Sequence, residues 1–152
     1  MGIRLSEDEV WDELSASHTG ILTTLKRDGW PVTVPVWFAV RDRAIYVRTP
    51  AKTKKVTRVR NDGRGCFLVE SGLSWRELRA VSLPVSIAIV EDREEIAAAH
   101  AAIDAKYSGY RVARAAMPGR AAEHYGTGMA ILRLDAAGSA LSWDNARLKA
   151  AA

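Results

Sequence analysis

Residues 19–49 of the chain, TGILTTLKRDGWPVTVPVWFAVRDRAIYVRT, decide the fold because their pattern is typical of three consecutive strands. Thr19 to Arg27 is predicted to form the first strand, and Asp28-Gly29 is a strong signal for a two-residue hairpin turn. Apolar side chains then alternate from Pro31 to Arg41, which predicts a half-buried second strand. A turn at Asp42-Arg43 leads into a third strand, Ala44 to Thr49. The stretch therefore predicts an antiparallel β-meander.

The rest of the chain adds helices and strands around this meander. Ser6 and Glu9 form a predicted capping box that opens a first helix. Pro84, inside a long predicted strand, indicates an edge position or a bulge. The other predicted elements are helices at Thr53–Asn61 and Asp92–Lys106, strands at Arg64–Glu70, Leu78–Val90, Met129–Leu134 and Leu141–Trp143, and an irregular or partly helical segment at Tyr107–Gly126. Few helices among many strands predict one mainly β domain over residues 1–152, an antiparallel barrel with flanking helices.

Composition and charge narrow the class of protein. The 152 residues suffice for one domain with a real core, and the net charge of +4 favours anionic partners. The single cysteine, Cys66, lies in an apolar run, which is typical of a buried thiol in a reducing compartment. No apolar run approaches the roughly twenty residues needed to cross a membrane, and the first residues lack the apolar core of a secretory signal. We expect a cytoplasmic protein that does not bind membranes.

Several kinds of catalytic site are not indicated by the sequence. The three histidines, His18, His100 and His124, are far apart in the chain and have no metal-binding spacing, so no metal site is expected. Each histidine is expected at the surface or in a local hydrogen bond. No nucleophile elbow, Walker loop or carboxylate pair is found. We therefore assign no residue as catalytic.

A basic strand–turn–helix segment carries the strongest chemical signal. A strand end, a short turn holding Pro50 and a helix start bring cations and hydroxyls to the place where helix N–H groups lack partners. The residues concerned are Arg48, Thr49, Thr53, Lys54 and Lys55. This arrangement predicts a site for a phosphorylated ligand, with a solvated basic helix face as the alternative. Nucleic acid is not the expected partner, because no aromatic residue is interleaved with the cations from Arg48 to Arg64.

The order of elements and two segments resemble a known superfamily. The segments are TTLKRDGWPVTVPVWFAVRDRAIYVRT at residues 23–49 and TKKVTRVRNDGRGCFLV at residues 53–69. They resemble the split β-barrel flavin and deazaflavin oxidoreductases, which include the pyridoxamine phosphate oxidases and the reductases that use coenzyme F420. The resemblance covers about residues 5–95. It implies an antiparallel split β-barrel that pairs as a homodimer, with the cofactor at the subunit interface.

The resemblance also implies which residues bind the cofactor. The ring is expected along the second strand, whose main chain would bond its polar edge, at Thr33, Val34, Pro35, Val36, Trp37 and Phe38. The cofactor phosphate is expected at Arg48, Thr49, Thr53, Lys54 and Lys55. Trp75 and Trp143 are candidates for the wall of the ring or substrate pocket, from the same or the partner subunit. Packing in the core or the interface is the equal alternative for both tryptophans.

These implications predict an oxidoreductase that passes a hydride between a bound cofactor and a small organic substrate. F420 is favoured over FMN because Lys52, Arg58 and Arg60 add cations that suit an acidic cofactor tail. The chain ends without the arginine- and histidine-containing tail that pyridoxamine phosphate oxidases use on their substrate, so that activity is not expected. Two alternatives stay open: a non-catalytic flavin- or F420-binding carrier, and a nucleic-acid-binding β-barrel.

Overall fold

The computed structural model describes residues 2–112 and 128–149 and contains one eight-stranded antiparallel sheet. The strands are β1 (Gly20–Leu25), β2 (Pro31–Val36), β3 (Phe38–Arg41), β4 (Ala44–Pro50), β5 (Arg64–Ser71), β6 (Arg79–Ile89), β7 (Met129–Ala136) and β8 (Leu141–Asp144). The helices are α1 (Glu7–Ala16), α2 (Lys54–Asn61) and α3 (Arg93–Tyr107), with short 3₁₀ turns at Trp75–Glu77 and Asn145–Arg147. In the part of the chain described, no helix combines the length and apolar character needed to span a membrane.

The strand order is β2-β1-β5-β6-β7-β4-β3, with β8 paired to β6, so the predicted barrel with flanking helices is confirmed. The predicted second strand differs in one respect, because it divides at Trp37 into β2 and β3. The strand β2 pairs with β1, whereas β3 pairs with β4 at the other end of the sheet. The chain therefore joins the two ends of the sheet at Trp37, and the barrel is split there.

Both predicted hairpins are present, but the first turn is longer than the predicted two-residue turn. The Lys26 N–H donates to the Trp30 carbonyl and the Gly29 N–H donates to the Lys26 carbonyl, so residues 27–29 form a three-residue loop, in which Gly29 has φ 87°. Asp42 and Arg43 have φ 49° and 57° in the hairpin between β3 and β4. Two successive positive φ values are the mark of a type I′ turn, whose twist matches that of the strands it joins.

The barrel interior is filled by side chains from nearly every strand. Phe38 and Phe67 are fully buried, and their rings meet edge to face with 4.8 Å between centroids. Leu14 of α1 closes one part of this core, with no exposed surface. A second, smaller apolar cluster lies where α3 packs on β3 and β4, around Ile103 and Tyr107. The helix α3 is thereby held against the junction of β2 and β3. Of the segment predicted to be irregular, Tyr107 ends α3, and residues 113–126 lie outside the described part.

Pro84 lies inside the sheet, so the predicted edge position is wrong for β6 as a whole. On one side Pro84 pairs with Cys66 of β5. On its other side, the β8 ladder ends at Ser82 and the β7 ladder begins at Val85. The Pro84 carbonyl accepts from the Ala137 N–H (2.9 Å) on that side, and in a strand the nitrogen of a residue faces the same way as its carbonyl. The missing N–H therefore faces Ala137, just past the end of the β7 ladder, where the proline costs at most one terminal bond.

The predicted capping box at the start of α1 is confirmed, and it is tied to the end of the chain. The Ser6 hydroxyl accepts from the Glu9 N–H (3.2 Å), and the Glu9 carboxylate accepts from the Ser6 N–H (2.7 Å). Arg147 also donates to this carboxylate. The hydrogen bond from Arg147, followed by that from Ser6, lowers the pKa of Glu9 from 4.5 to about 2.

We expect Arg147→Gln to lower the melting temperature at neutral pH, and the difference from wild type to shrink in acid. The pKa of Glu9 in the folded protein lies below its unfolded value of 4.5. Its contribution to stability is therefore full above pH 4.5 and is lost as the pH falls through about 2. Thermal melts between pH 7 and pH 2 measure this change. Arg76→Gln, at an exposed position, is the control, and a wild-type-to-variant difference that does not depend on pH would contradict the role of Glu9.

Candidate functional site

A cavity of about 850 Å³ opens between the junction of β2 and β3, the end of β4, the start of α2 and one side of α3. Its volume lies in the upper part of the roughly 300–1,000 Å³ that small-molecule sites occupy. Its walls are mostly apolar, and its charged lining groups are basic. The lining residues are Thr19, Pro35, Val36, Trp37, Arg48, Thr49, Pro50, Thr53, Lys55, His100, Ile103, Tyr110, Arg111, Val112 and Met129.

One end of the cavity lies against the start of α2. Thr53 is the N-cap residue, and no side chain of the described residues caps the helix there. The hydroxyls of Thr49 and Thr53 are 3.3 Å apart and face the same space. The first turn of α2 contains no acidic residue, so its N–H groups and the helix dipole favour an anion. This donor set of amides, hydroxyls and a cation fits a phosphate group.

Lys55 is the lysine best placed to bind a phosphate group. It lines the cavity and is half-buried, whereas its neighbour Lys54 is exposed and lies outside the cavity. Burial lowers the pKa of Lys55, and the nearby charge of Arg58 lowers it further. An anion bound beside the Lys55 ammonium would offset this cost, because an opposite charge favours the protonated form.

Arg48 lines the same end but is already bonded to α3. Its side chain is 13% exposed, and its guanidinium donates to Asp104 Oδ1 (2.9 Å) and meets His100 Nδ1 (3.0 Å). Burial, followed by the charge of Arg48, lowers the pKa of His100, so the ring favours the neutral form that accepts at Nδ1. Asp104 also pairs with Arg111 (3.0 Å). Part of the Arg48 charge is therefore balanced within the chain.

His100 and Asp104 were not predicted as part of this site. His100 was expected at the surface or in a local hydrogen bond, but it bonds to Arg48, which is distant in the chain. The sequence does contain one signal for this pair: His100 and Asp104 are four residues apart, and residues at i and i+4 share one face of a helix. The sequence could thus predict that His100 and Asp104 act together, but nothing local indicates that this face meets β4.

The other end of the cavity meets β2, which has one unpaired edge. No strand of the described residues pairs with β2 on the side away from β1. The Lys26 N–H donates to the Trp30 carbonyl (2.9 Å), so these two residues form a hydrogen-bonded pair. Such pairs alternate along an antiparallel ladder, so Val32 and Val34 are the next residues that bond to β1. The main-chain groups of the intervening residues therefore face the open edge.

This open edge contains a single main-chain donor. Pro31, Thr33 and Pro35 alternate along it, and proline has no N–H. Thr33 is thus the one residue of β2 whose N–H points to the open edge, while all three residues offer carbonyl oxygens. Prolines on an edge strand also prevent pairing with another strand, which keeps this edge free for a ligand.

The residues predicted for the cofactor fall into two groups. Those that line the cavity are Pro35, Val36, Trp37, Arg48, Thr49, Thr53 and Lys55. Those that do not are Thr33, Val34, Phe38, Lys54 and Trp75. The Phe38 side chain is buried in the barrel core, and its main-chain N–H and carbonyl both lie within hydrogen-bond distance of the Tyr107 hydroxyl, so the predicted ring contact of Phe38 has no free group. Trp75 is 70% exposed on a 3₁₀ turn, and Trp143 is half-buried on β8.

An aromatic cluster beside the cavity was also not predicted. The Trp37 indole stacks on Tyr107 with 4.3 Å between centroids and 2° between planes. His18 meets Trp37 and Tyr110 edge-on, at 5.7 Å and 4.6 Å. This cluster could not be predicted from the sequence, because its members are far apart in the chain. They come from the loop before β1, the break between β2 and β3, and the end of α3.

In residues 2–112 and 128–149, no three His, Cys, Asp or Glu side chains are grouped so that they could hold a metal. The polar groups of the cavity are donors for an anion, as described above.

Comparison with known proteins identifies relatives. A family model described as pyridoxamine 5′-phosphate oxidase matches residues 6–138. The crystal structure of a conserved hypothetical protein from Mycobacterium tuberculosis is 31% identical, with a TM-score of 0.79 over 94% of this chain and 87% of that chain. The FAD-binding protein from Mycobacterium smegmatis is 17% identical, with a TM-score of 0.63 over 92% and 96%. The heme storage protein from Vibrio cholerae is 11% identical, with a TM-score of 0.64 over 94% and 96%. No curated protein matches the chain significantly.

The family match extends over most of the chain, from α1 to the end of β7. The two structures of low identity show the shared fold alone. The expected resemblance to the split-barrel superfamily is confirmed by the family model together with the strand order. The chain therefore belongs to the pyridoxamine 5′-phosphate oxidase-like superfamily of split-barrel flavin-binding proteins.

Proposed function

We propose that the protein is an oxidoreductase that binds F420, or alternatively FMN, in the cavity and passes a hydride between this cofactor and a small organic substrate. One observation carries the proposal: a single cavity joins the uncapped start of α2 to an open strand edge. A flavin-type cofactor has a phosphate at one end and a ring with a polar edge at the other. Membership of the superfamily supports the same type of cofactor.

The residues of the chain would bind and orient the cofactor. Thr49, Thr53 and Lys55, with the first amides of α2, are suited to hold the phosphate. The N–H of Thr33 and the neighbouring carbonyls are suited to meet the polar edge of the ring. The bound cofactor supplies the hydride chemistry, while the apolar walls exclude water. No acid–base side chain is assigned, because the proposed step needs none.

The choice of F420 over FMN rests on cations beside the phosphate end. Lys52 is exposed just before the start of α2, and Arg60 is exposed in its last turn, so an acidic cofactor tail could extend along the helix. Arg58 is anchored to β1, because its Nε donates to Thr24 Oγ1 (2.8 Å). FMN would need only its single phosphate neutralised, and it leaves the other cations without a role.

We propose a homodimer in which the outer face of the sheet meets a second copy. Ile21 pairs with Leu68, and Thr23 pairs with Cys66, so these residues form adjacent rows on the outside of β1 and β5. They are only half-buried within one chain. Trp75 is strongly exposed on the loop between β5 and β6, where it could reach the cavity of a partner. A cytoplasmic location agrees with the unpaired thiol of Cys66.

A cofactor titration tests the proposal. We expect FMN or F420 to bind with a Kd in the micromolar range or tighter. The fluorescence of the cofactor ring measures this binding. Riboflavin, which has the same ring as FMN without its phosphate, is the matched control and should bind at least about tenfold more weakly, as expected for lost charge-assisted bonds. No binding of either cofactor at micromolar levels would refute the proposal.

The same samples separate the enzyme from a carrier. Reduction of quinone, nitro or enone substrates by the reduced cofactor is expected for an oxidoreductase. Tight cofactor binding without any such turnover would favour a non-catalytic carrier.

A further inference from the structure

We propose that the free face of the Trp37 indole stacks a flat, uncharged or anionic ring of the substrate. The inference rests on the proposed function, and it gives the side chain of Trp37 a role separate from the main chain of β2. The argument uses the rigidity of Trp37, its exposure in the cavity and the charge of the surrounding groups.

Tyr107 packs against one face of the Trp37 indole and fixes its orientation. Its ring is fully buried, and its hydroxyl lies 2.9 Å from the Phe38 N–H, 2.6 Å from the His18 carbonyl and 3.0 Å from the Phe38 carbonyl. The Trp37 ring lies parallel to this anchored ring at 4.3 Å. One face of the indole is therefore covered, and the ring that covers it is fixed by main-chain bonds to the start of β3 and to the loop before β1.

The uncovered part of the indole belongs to the cavity wall. Trp37 is 37% exposed, and both Trp37 and Tyr110 line the cavity. Tyr110 is 64% exposed, and His18 contacts both rings edge-on. A flat ring that slides over the indole would bury apolar surface against side chains that lose little freedom, which favours binding.

The charge around this wall limits the kind of ring. The cations that line the cavity are Arg48, Lys55 and Arg111, and no carboxylate of the described residues lines it. Asp104, just outside the lining, pairs with both arginines and balances part of their charge, but the cations outnumber it. The potential is therefore positive in the cavity. Uncharged rings and rings with a carboxylate or sulfonate are favoured over cationic rings.

The position of Trp37 explains why this ring belongs to the substrate. The proposed cofactor is held through its phosphate and through the main chain of β2, and neither contact uses an indole face. Hydride transfer needs the two reacting atoms about 3–3.5 Å apart, so the substrate must lie beside the cofactor ring. Trp37 directly follows the last residue of β2 and is the flat surface next to that position.

Calorimetric titration with simple ring compounds tests the inference. The probes are 2-naphthol (uncharged), 2-naphthoate (anionic) and N-methylquinolinium (cationic), each with and without saturating FMN. We expect Trp37→Leu to weaken binding of the first two about tenfold, as for a lost aromatic stack. Trp30→Leu is the matched control, because Trp30 is 68% exposed at the hairpin tip and lies outside the cavity lining. It should change affinity less than about twofold, within the small effects of exposed surface positions.

The possible outcomes distinguish this inference from the proposed function. Equal affinity of wild type and Trp37→Leu for 2-naphthol would overturn the inference, as would tighter binding of the cationic probe. Displacement of 2-naphthol by FMN would also overturn it, because the wall would then hold the cofactor. Absence of FMN binding together with Trp37-dependent binding of 2-naphthol would support the ring site and refute the flavin-type function. Tyr110→Leu, at an exposed position, gives a second test if circular dichroism shows that Trp37→Leu does not fold.

Discussion

Lys55→Ala is expected to weaken FMN or F420 binding by roughly tenfold to a hundredfold, since one charge-assisted hydrogen bond contributes about 1.5–3 kcal/mol. Lys55 lines the cavity and is half-buried, so its ammonium has few competing water contacts. A phosphate placed beside Thr49 and Thr53 would lie within its reach. Fluorescence titration of the cofactor ring measures the change.

Lys54→Ala is the matched control for this prediction. Lys54 is the preceding residue of the same helix, but its side chain is exposed and outside the cavity. We expect less than about a twofold change, because exposed charges interact weakly through water. Riboflavin affinity should not change in either variant, since riboflavin has no phosphate. Equal losses in both variants would favour an exposed basic face, and steeply salt-dependent binding of DNA would then point to the nucleic-acid alternative.

Val32→Pro is expected to destabilise the fold strongly, whereas Thr33→Pro should fold and lose cofactor affinity. Val32 bonds to Thr24 of β1, so removal of its N–H leaves a ladder partner unsatisfied, at a cost of about 1–3 kcal/mol, and adds ring clashes. The Thr33 N–H faces the open edge, as the nitrogens of Pro31 and Pro35 do. Its removal costs no ladder bond. Urea unfolding measures the first effect, and cofactor titration measures the second.

The change in cofactor affinity of Thr33→Pro shows whether the Thr33 N–H bonds to the cofactor ring. Loss of one hydrogen bond to the ring would weaken cofactor binding about tenfold. Thr33→Ala keeps the main-chain N–H and is the control, although it also removes the hydroxyl contact with Thr23 (2.9 Å) on the outer face. Unchanged cofactor affinity in a folded Thr33→Pro protein would show that the Thr33 N–H is not a ring contact.

Much of the fold follows from local patterns, but the split of the barrel does not. The alternation of apolar residues runs through Val34, Val36 and Phe38 without interruption. It therefore predicts one strand across the point where β2 ends and β3 begins. The change of partner from β1 to β4 depends on the closing of the whole sheet, and no residue near Trp37 signals it. The same alternation places the Phe38 side chain inside the barrel, so its burial was predictable.

The candidate site shows the same division. The basic segment was found in the sequence because a strand end, a turn and a helix start lie within a few residues of each other. The different exposures of Lys54 and Lys55 could not be predicted from the sequence, since they depend on how α2 is rotated against the barrel. The role of these residues in cofactor binding stays a prediction.

The sequence by itself determined the positions of the two hairpins, the capping box of α1 and the basic start of α2. Each of these depends on residues that are close in the chain, where backbone geometry and side-chain type act directly. Only the tertiary structure decided that Asp104 and His100 hold Arg48, that Thr33 is the one donor on the open edge, and that Trp37 stacks on Tyr107. The physical reason is that these contacts join distant segments. They arise from the closing of the sheet and the docking of α3, which no local pattern encodes.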